Sequence, residues 1–124
     1  MAGPNQAVFL YLHGKSAHSD IVDVLWRAIK ELPDLKVYCS DRNNFGYVVG
    51  CTNGLVFAYA AGMQGVGLRL PEKRVRALIA EGAEPCASVG PEWALLKLFG
   101  NGGFEHRLTA IAREAYEHAA LPTN

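Results

Sequence analysis

Residues 45–70 read FGYVVGCTNGLVFAYAAGMQGVGLRL, and this stretch decides the fold. Its apolar residues alternate with glycines and small residues, which is typical of β-strands. Asn53-Gly54 separates two apolar runs, and both residues accept the positive φ of a type I′ hairpin turn. We therefore predict an antiparallel meander of three strands: Phe45–Cys51, Leu55–Ala60 and Gly65–Leu70.

The third of these strands shows the alternation most clearly. Apolar side chains fall on one face and glycines with a single arginine on the other: Val66, Leu68 and Leu70 against Gly65, Gly67 and Arg69. Such alternation indicates a sheet with one covered face.

Further strands and helices are predicted on both sides of the meander, from apolar runs and from apolar residues at helical spacing. The short run Ala7–His13 (AVFLYLH) is interpreted as a strand, with a helix over the same residues left open. Ser16 or Ser19 is expected to cap the helix that follows. The remaining predicted elements are a helix over Asp20–Leu32, a strand over Leu35–Cys39, a helix over Pro71–Glu81, a strand over Glu92–Phe99 and a helix over Phe104–Leu121, with turns at 40–44 and 100–103.

The predicted order is β-α-β-β-β-β-α-β-α, with no repeated βαβ crossover. This order favours the α+β class: an antiparallel β-meander sheet packed with helices in two layers. No linker or internal repeat interrupts the chain, so residues 1–124 are expected to form a single domain.

The composition excludes several classes of protein. The chain has 124 residues with 12 Lys+Arg and 12 Asp+Glu, so its formal net charge is zero. Hydrophobic residues make up 50% and charged residues 19%, which excludes intrinsic disorder and low-complexity or collagen-like chains. No apolar stretch reaches the roughly 18 residues of a transmembrane helix. The N-terminus also lacks a signal-peptide pattern, so a cytoplasmic location is expected and no membrane partner.

The cysteines and histidines do not form a metal or disulfide pattern. Cys39, Cys51 and Cys86 are odd in number and none are spaced C-x-x-C. Cys39 and Cys51 are expected to be buried in strands, which leaves Cys86, in a loop, as the candidate reactive thiol. The four histidines lack the local spacing of a zinc site. We predict no metal, no cofactor and no catalytic residue.

Gly14-Lys15-Ser16 is a candidate anion-binding turn. Free N–H groups at a helix start attract anions, and Lys15 adds a positive charge. A complete P-loop is excluded because Phe9 stands where that motif needs glycine. The oxyanion loop of an α/β-hydrolase would need a G-x-S-x-G nucleophile elbow elsewhere in the sequence, and the chain lacks one.

Four basic residues gather where the third meander strand meets the next helix, and they are the candidates for nucleic-acid binding. Phosphate neutralisation dominates affinity for nucleic acids. An ordinary solvated helix face is the competing interpretation of this cluster, which consists of Arg69, Lys73, Arg74 and Arg76.

Several short motifs resemble the MmcQ/YjbR-like family, which is related to the N-terminal domain of TfoX. They are Phe45-Gly46, Asn53–Ala58, Val66–Glu72, Glu92-Trp93 and Arg113–Tyr116. The resemblance covers roughly residues 45–121. It implies a compact α+β domain, and DNA binding has been suggested for relatives. No catalytic residue comes with it.

The high apolar content predicts exposed apolar surface, which marks an interface or a pocket. We expect a non-enzymatic binding module that acts through protein–protein contacts or a small apolar pocket, as a homodimer or on a protein partner. The alternatives are a weak DNA-binding domain that uses the basic strand–helix junction, and a small enzyme with an anion-binding turn at Gly14–Ser16.

Overall fold

The computed structural model describes residues 4–39, 46–62, 65–98 and 104–121. Within them the elements are α1 (Pro4–Leu12), α2 (Ser19–Ile29), β1 (Lys36–Cys39), β2 (Val48–Thr52), β3 (Leu55–Ala61), β4 (Gly65–Arg69), α3 (Glu72–Ala80), β5 (Glu84–Pro85), β6 (Trp93–Lys97) and α4 (Leu108–Ala120). The strands form one antiparallel sheet in the order β1-β2-β3-β4-β6-β5. The predicted α+β class is confirmed. The predicted turns at 40–44 and 100–103 lie outside the described residues, as do positions 45 and 99.

The hairpin between β2 and β3 has the predicted turn and one irregularity. Asn53 and Gly54 have φ of 54° and 74°, the positive values of a type I′ turn. Further along, Gly50 pairs with Ala58 but Cys51 pairs with Val56, so Phe57 is an extra residue in β3. This bulge interrupts the period-two alternation of the strand.

Helices α2 and α4 cover one face of the sheet and form the larger core with it. The face of β4 predicted to be covered is buried there, and the apolar stripe of α2 packs onto the same cluster. The buried residues are Val66, Leu68 and Leu70 from the β4 segment and Ile21, Leu25 and Ile29 from α2. Because of the bulge, Phe57 and Ala58 both belong to this core.

The prediction of a strand over Ala7–His13 is wrong, because all of this run but His13 lies in helix α1. Val8 and Leu12, one helical turn apart, are fully buried in a second cluster on the other face of the sheet. Gly14 follows with φ of 78°, a conformation that ends helices. A short apolar run is compatible with either element, so its periodicity alone does not separate them.

Asn5 attaches α1 to the turn end of the β2–β3 hairpin. Its side-chain Nδ2 donates to the carbonyl of Gly54 at 2.8 Å, and its Oδ1 accepts from the backbone N–H of Val56 at 2.8 Å. The amide side chain therefore pairs with the hairpin as a peptide group of a neighbouring strand would.

Other boundaries differ from the predictions in ways that local chemistry explains. His18, and neither Ser16 nor Ser19, caps α2: its Nδ1 accepts from the backbone N–H of Asp20 at 3.1 Å. Strand β5 was not predicted, because two residues that include Pro85 carry no strand pattern. Strand β6 is shorter than the predicted Glu92–Phe99.

Tyr59 and Gly67 form a close contact between β3 and β4. The two residues are paired across the strands, and a Cβ atom at position 67 would overlap the aromatic ring of Tyr59. The ring therefore lies over the backbone of the neighbouring strand, where only glycine leaves room for it.

We predict that Gly67→Ala destabilises the protein by about 1–3 kcal/mol, because the added methyl group displaces the Tyr59 ring from a packed position. Urea unfolding of the variant against the wild type measures the loss. The double variant Gly67→Ala/Tyr59→Leu, compared with Tyr59→Leu alone, is the control. Gly67→Ala should lower the free energy of unfolding much less when position 59 is leucine than when it is tyrosine. An equal loss in both cases would contradict the ring contact.

Candidate functional site

A cleft of about 440 Å³ opens between α3 and the β5–β6 hairpin. Its walls are mainly apolar, and they are built by the helix, the short strand β5 and the loop 86–91. The lining residues of this cleft are Glu72, Val75, Arg76, Ile79, Pro85, Cys86, Ala87, Gly90, Pro91 and Trp93. Its volume falls within the range of small-molecule sites, roughly 300–1,000 Å³.

Helix α3 supplies one wall because its start and end are set locally. The carbonyl of Pro71 accepts from the backbone N–H groups of Arg74 and Val75 at 2.9 and 3.0 Å, which closes the first turn. Gly82, with φ of 115°, follows the last turn. Val75 and Ile79 lie one helical turn apart, so both reach the cleft from the same side of the helix.

The opposite wall is the loop from Cys86 to Pro91. The carbonyl of Cys86 accepts from the backbone N–H groups of Val89 and Gly90, both at 2.9 Å. Gly90 has φ of 148°, and its carbonyl in turn accepts from the N–H of Trp93 at 3.2 Å. These bonds hold the loop against the start of β6, where the Trp93 side chain is buried.

A buried pair of polar side chains lies behind this loop. The Tyr59 hydroxyl and the Cys86 Sγ are 3.2 Å apart, and the Tyr59 ring centroid is 5.5 Å from that of Trp93. Burial is the main cause that raises the pKa of both groups, and their proximity raises that of Tyr59 further. Both side chains are therefore uncharged at neutral pH.

The cysteines are not placed as expected. Cys39, predicted to be buried, is exposed, and Cys86, the one candidate for a reactive thiol, is buried. Burial of Cys86 holds its pKa high, which works against the thiolate that nucleophilic chemistry needs. Cys51 is intermediate, and burial raises its pKa as well.

The two charged residues of the cleft offset each other. Glu72 and Arg76 are spaced i,i+4 on α3, with Oε1 and Nη1 3.9 Å apart, and both side chains are more than half exposed. Such an exposed pair contributes little to stability. Its consequence here is that the cleft carries no net charge.

The predicted nucleic-acid residues occupy the same junction but are largely paired with carboxylates. Arg69 Nη2 lies 3.1 Å from Glu92 Oε2, and Arg74 forms two bonds to Glu114, at 2.9 and 3.1 Å. Lys73 is exposed and makes no ion pair within the described part of the chain. These pairs lower the positive charge that the cluster, Arg76 included, offers to a phosphate backbone.

The candidate anion-binding turn follows helix α1, so it connects two helices. Lys15 Nζ lies 4.7 Å from the ring centroid of Tyr11, and the carbonyl of Ser16 accepts from the N–H of Gly62 at 2.7 Å. At the start of α2, His18 already caps the helix. The Asp20 carboxylate in the first turn adds negative charge there. Gly14-Lys15-Ser16 thus lies beside the start of α2, where the His18 cap and the Asp20 carboxylate already offset part of the positive end of the helix dipole.

A second cleft, of about 490 Å³, lies at the other end of the sheet and has more polar walls. Two of its side chains are already engaged in bonds that hold the fold. Tyr116 donates to the carbonyl of Pro33 at 2.8 Å, and Asn53 Nδ2 donates to that of Ala119 at 3.4 Å. We therefore take the α3–β6 cleft as the candidate site.

Within the described ranges, no group of three or more His, Cys, Asp or Glu side chains is arranged to hold a metal ion. None of the helices described is both long enough and apolar enough to cross a bilayer.

Searches against protein-family models, curated proteins and solved structures find no match for this chain. The resemblance to the MmcQ/YjbR-like family therefore stays a prediction from short motifs.

The sequence did not single out the cleft as a site. Val75 and Ile79 belong to the predicted helix Pro71–Glu81, but Pro85, Cys86 and Trp93 come from segments whose meeting depends on the unpredicted strand β5. The one available signal was the Gly90-Pro91 pair, which marks a loop beside an apolar strand.

We predict that alkylation by iodoacetamide separates the cysteines of the folded chain. Cys39 should react first, and the rate at Cys86 should be roughly a tenth of that rate or lower. The reason is that the thiolate is the nucleophile and Cys86 is buried with a raised pKa. Mass spectrometry of tryptic peptides measures both rates.

The pH dependence of this alkylation gives a second readout. A raised pKa keeps Cys86 protonated to higher pH, so its rate, although low, should still rise about tenfold per pH unit up to about pH 9, whereas in the urea-unfolded chain the rise should level off near the ordinary thiol pKa of about 8.5. The unfolded chain is the control, in which all three cysteines should react at similar rates. Equal rates of Cys39 and Cys86 in the folded chain would contradict the observed burial.

Proposed function

We propose that this protein is a non-enzymatic binding module that takes up a small, uncharged, mainly apolar molecule in the cleft between α3 and β6. The observation that carries the proposal is the cleft itself: about 440 Å³ between apolar walls, next to the buried Trp93.

The electrostatics of the lining support an uncharged ligand. Glu72 and Arg76 compensate each other, and the Cys86 thiol is neutral and bonded to Tyr59. An ion entering the cleft would lose hydration without gaining a matching charge, which is costly. An apolar molecule gains free energy from the area it removes from water, about 25 cal/mol for each Å².

The lining also supports binding without large rearrangement. Val75 and Trp93 are buried in the described structure, and loop 86–91 is held by its own backbone hydrogen bonds. A cleft whose walls are already packed costs little to order when a ligand enters.

We predict that N-phenylnaphthylamine binds the protein with a dissociation constant on the order of 10 μM. Anilinonaphthalene sulfonate, which adds a sulfonate to nearly the same aromatic body, should bind roughly tenfold more weakly, because the cleft offers no net positive charge. Fluorescence titration of the wild type with both probes measures this difference.

The two tryptophans of the chain locate the bound probe. Trp93 lies in the cleft wall, whereas Trp26 is exposed on α2, so nuclear magnetic resonance should show the Trp93 indole signal moving and the Trp26 signal unchanged. Ala87→Glu, which places a carboxylate at the cleft, should weaken binding of the neutral probe roughly tenfold. Ala77→Glu is the matched control on the other side of α3.

Three results would overturn the proposal: no saturable binding of the neutral probe, tighter binding of the sulfonate, or movement of the Trp26 signal alone. Equal weakening by Ala87→Glu and Ala77→Glu would have the same consequence, because only Ala87 lines the cleft.

A further inference from the structure

Strand β1 lies at the edge of the sheet that the described residues form. It pairs with β2 through Lys36 to Cys39, and within the described ranges no other strand pairs with it. The backbone N–H and C=O groups on its outer side are a template for another strand. This feature is independent of the cleft, which lies at the opposite end of the strand order.

Three of the four side chains of β1 are apolar, and they lie on both faces of the sheet. Tyr38 lies on the α1 face, where its ring centroid is 6.1 Å from those of Phe9 and Tyr47. Val37 and Cys39 lie on the other face, since Val37 pairs with Gly50 in the register of β2. All are exposed, with Val37 at 38% and Tyr38 at 49%.

This pattern is unusual for an edge strand. Edge strands of soluble proteins are commonly protected by charged residues, proline, bulges or a covering element. Lys36 is the one charged residue of β1. A strand that is apolar on both faces is typical of the interior of a sheet, where a neighbour lies on each side.

We propose that β1 pairs antiparallel with β1 of a second copy of this chain, which joins the two sheets into one of twelve strands. A two-fold axis perpendicular to the sheet keeps equivalent faces of the two copies on the same side. Residues opposite each other in the two β1 strands must then have side chains on the same face of the joined sheet. Two registers satisfy this condition and pair three residues of β1. One places Val37 opposite Val37, and the other places Tyr38 opposite Tyr38.

The charge distribution favours a second copy as the occupant. In neither register does Lys36 face Lys36 of the second copy. In the first it faces Tyr38 of the second copy, where an ammonium group and an aromatic ring attract each other. The formal net charge of zero also means that two copies do not repel each other at long range. The strand is thus complementary to itself.

Sedimentation of the full chain between about 1 and 100 μM tests the proposal, and the wild type should be dimeric at the upper end of this range. Tyr38→Lys should weaken the dimer tenfold or more in either register, since the new lysine faces Lys36 or its own copy, and Val37→Lys should do so in the register that places Val37 opposite Val37. Leu121→Lys, at another exposed apolar residue, is the control and should leave the dimer unchanged. Thermal unfolding curves verify that each variant folds.

A cross-linking experiment then identifies the register. On a Cys39→Ser background, Val37→Cys or Tyr38→Cys should form a disulfide-linked dimer under mild oxidation, and Ala77→Cys on α3 should not. A chain that stays monomeric at about 100 μM overturns the proposal. So does a dimer that both lysine variants leave intact, or one in which neither cysteine cross-links. Pairing with a different protein in place of a second copy would overturn it as well.

Discussion

Tyr59 lies across the backbone of the strand beside it, and this is possible because position 67 has no side chain. From that position its ring contacts Tyr11 of α1, with centroids 5.9 Å apart, as well as Trp93 of β6, and its hydroxyl meets the thiol of Cys86. One side chain thereby joins the first helix, the sheet and the loop that forms a wall of the cleft. A larger residue at position 67 would displace all three partners together.

The parts of the fold that the sequence predicted are those set by residues close together in the chain. The turn at Asn53-Gly54 needs two adjacent residues of a particular type, and the covered face of β4 follows from alternation within six residues. The run Ala7–His13 was misread because its apolar residues suit either a strand or a helix until the surface they pack on is known. The bulge at Phe57 depends on register with another strand and leaves no local signal.

The candidate site was harder to predict for the same reason. Its walls come from α3, from β5 and from the loop 86–91, and no single segment shows the spacing of a binding motif. The basic residues at this junction were visible in the sequence, but their partners were not. Glu114 is forty positions from Arg74, and only the packing of α4 beside α3 brings its carboxylate within 2.9 Å. Charge at this junction is thus used largely in pairs, which leaves the cleft without net charge.

The contact of Asn5 with the hairpin has a consequence for the order in which the molecule assembles. Helix α1 is synthesised before residues 54 and 56, yet those are the residues whose backbone groups Asn5 bonds. The early segment therefore has no docking place until some fifty further residues have emerged and folded back. In this protein helix α1 is synthesised before the central hairpin but completes its native contacts only after that hairpin exists.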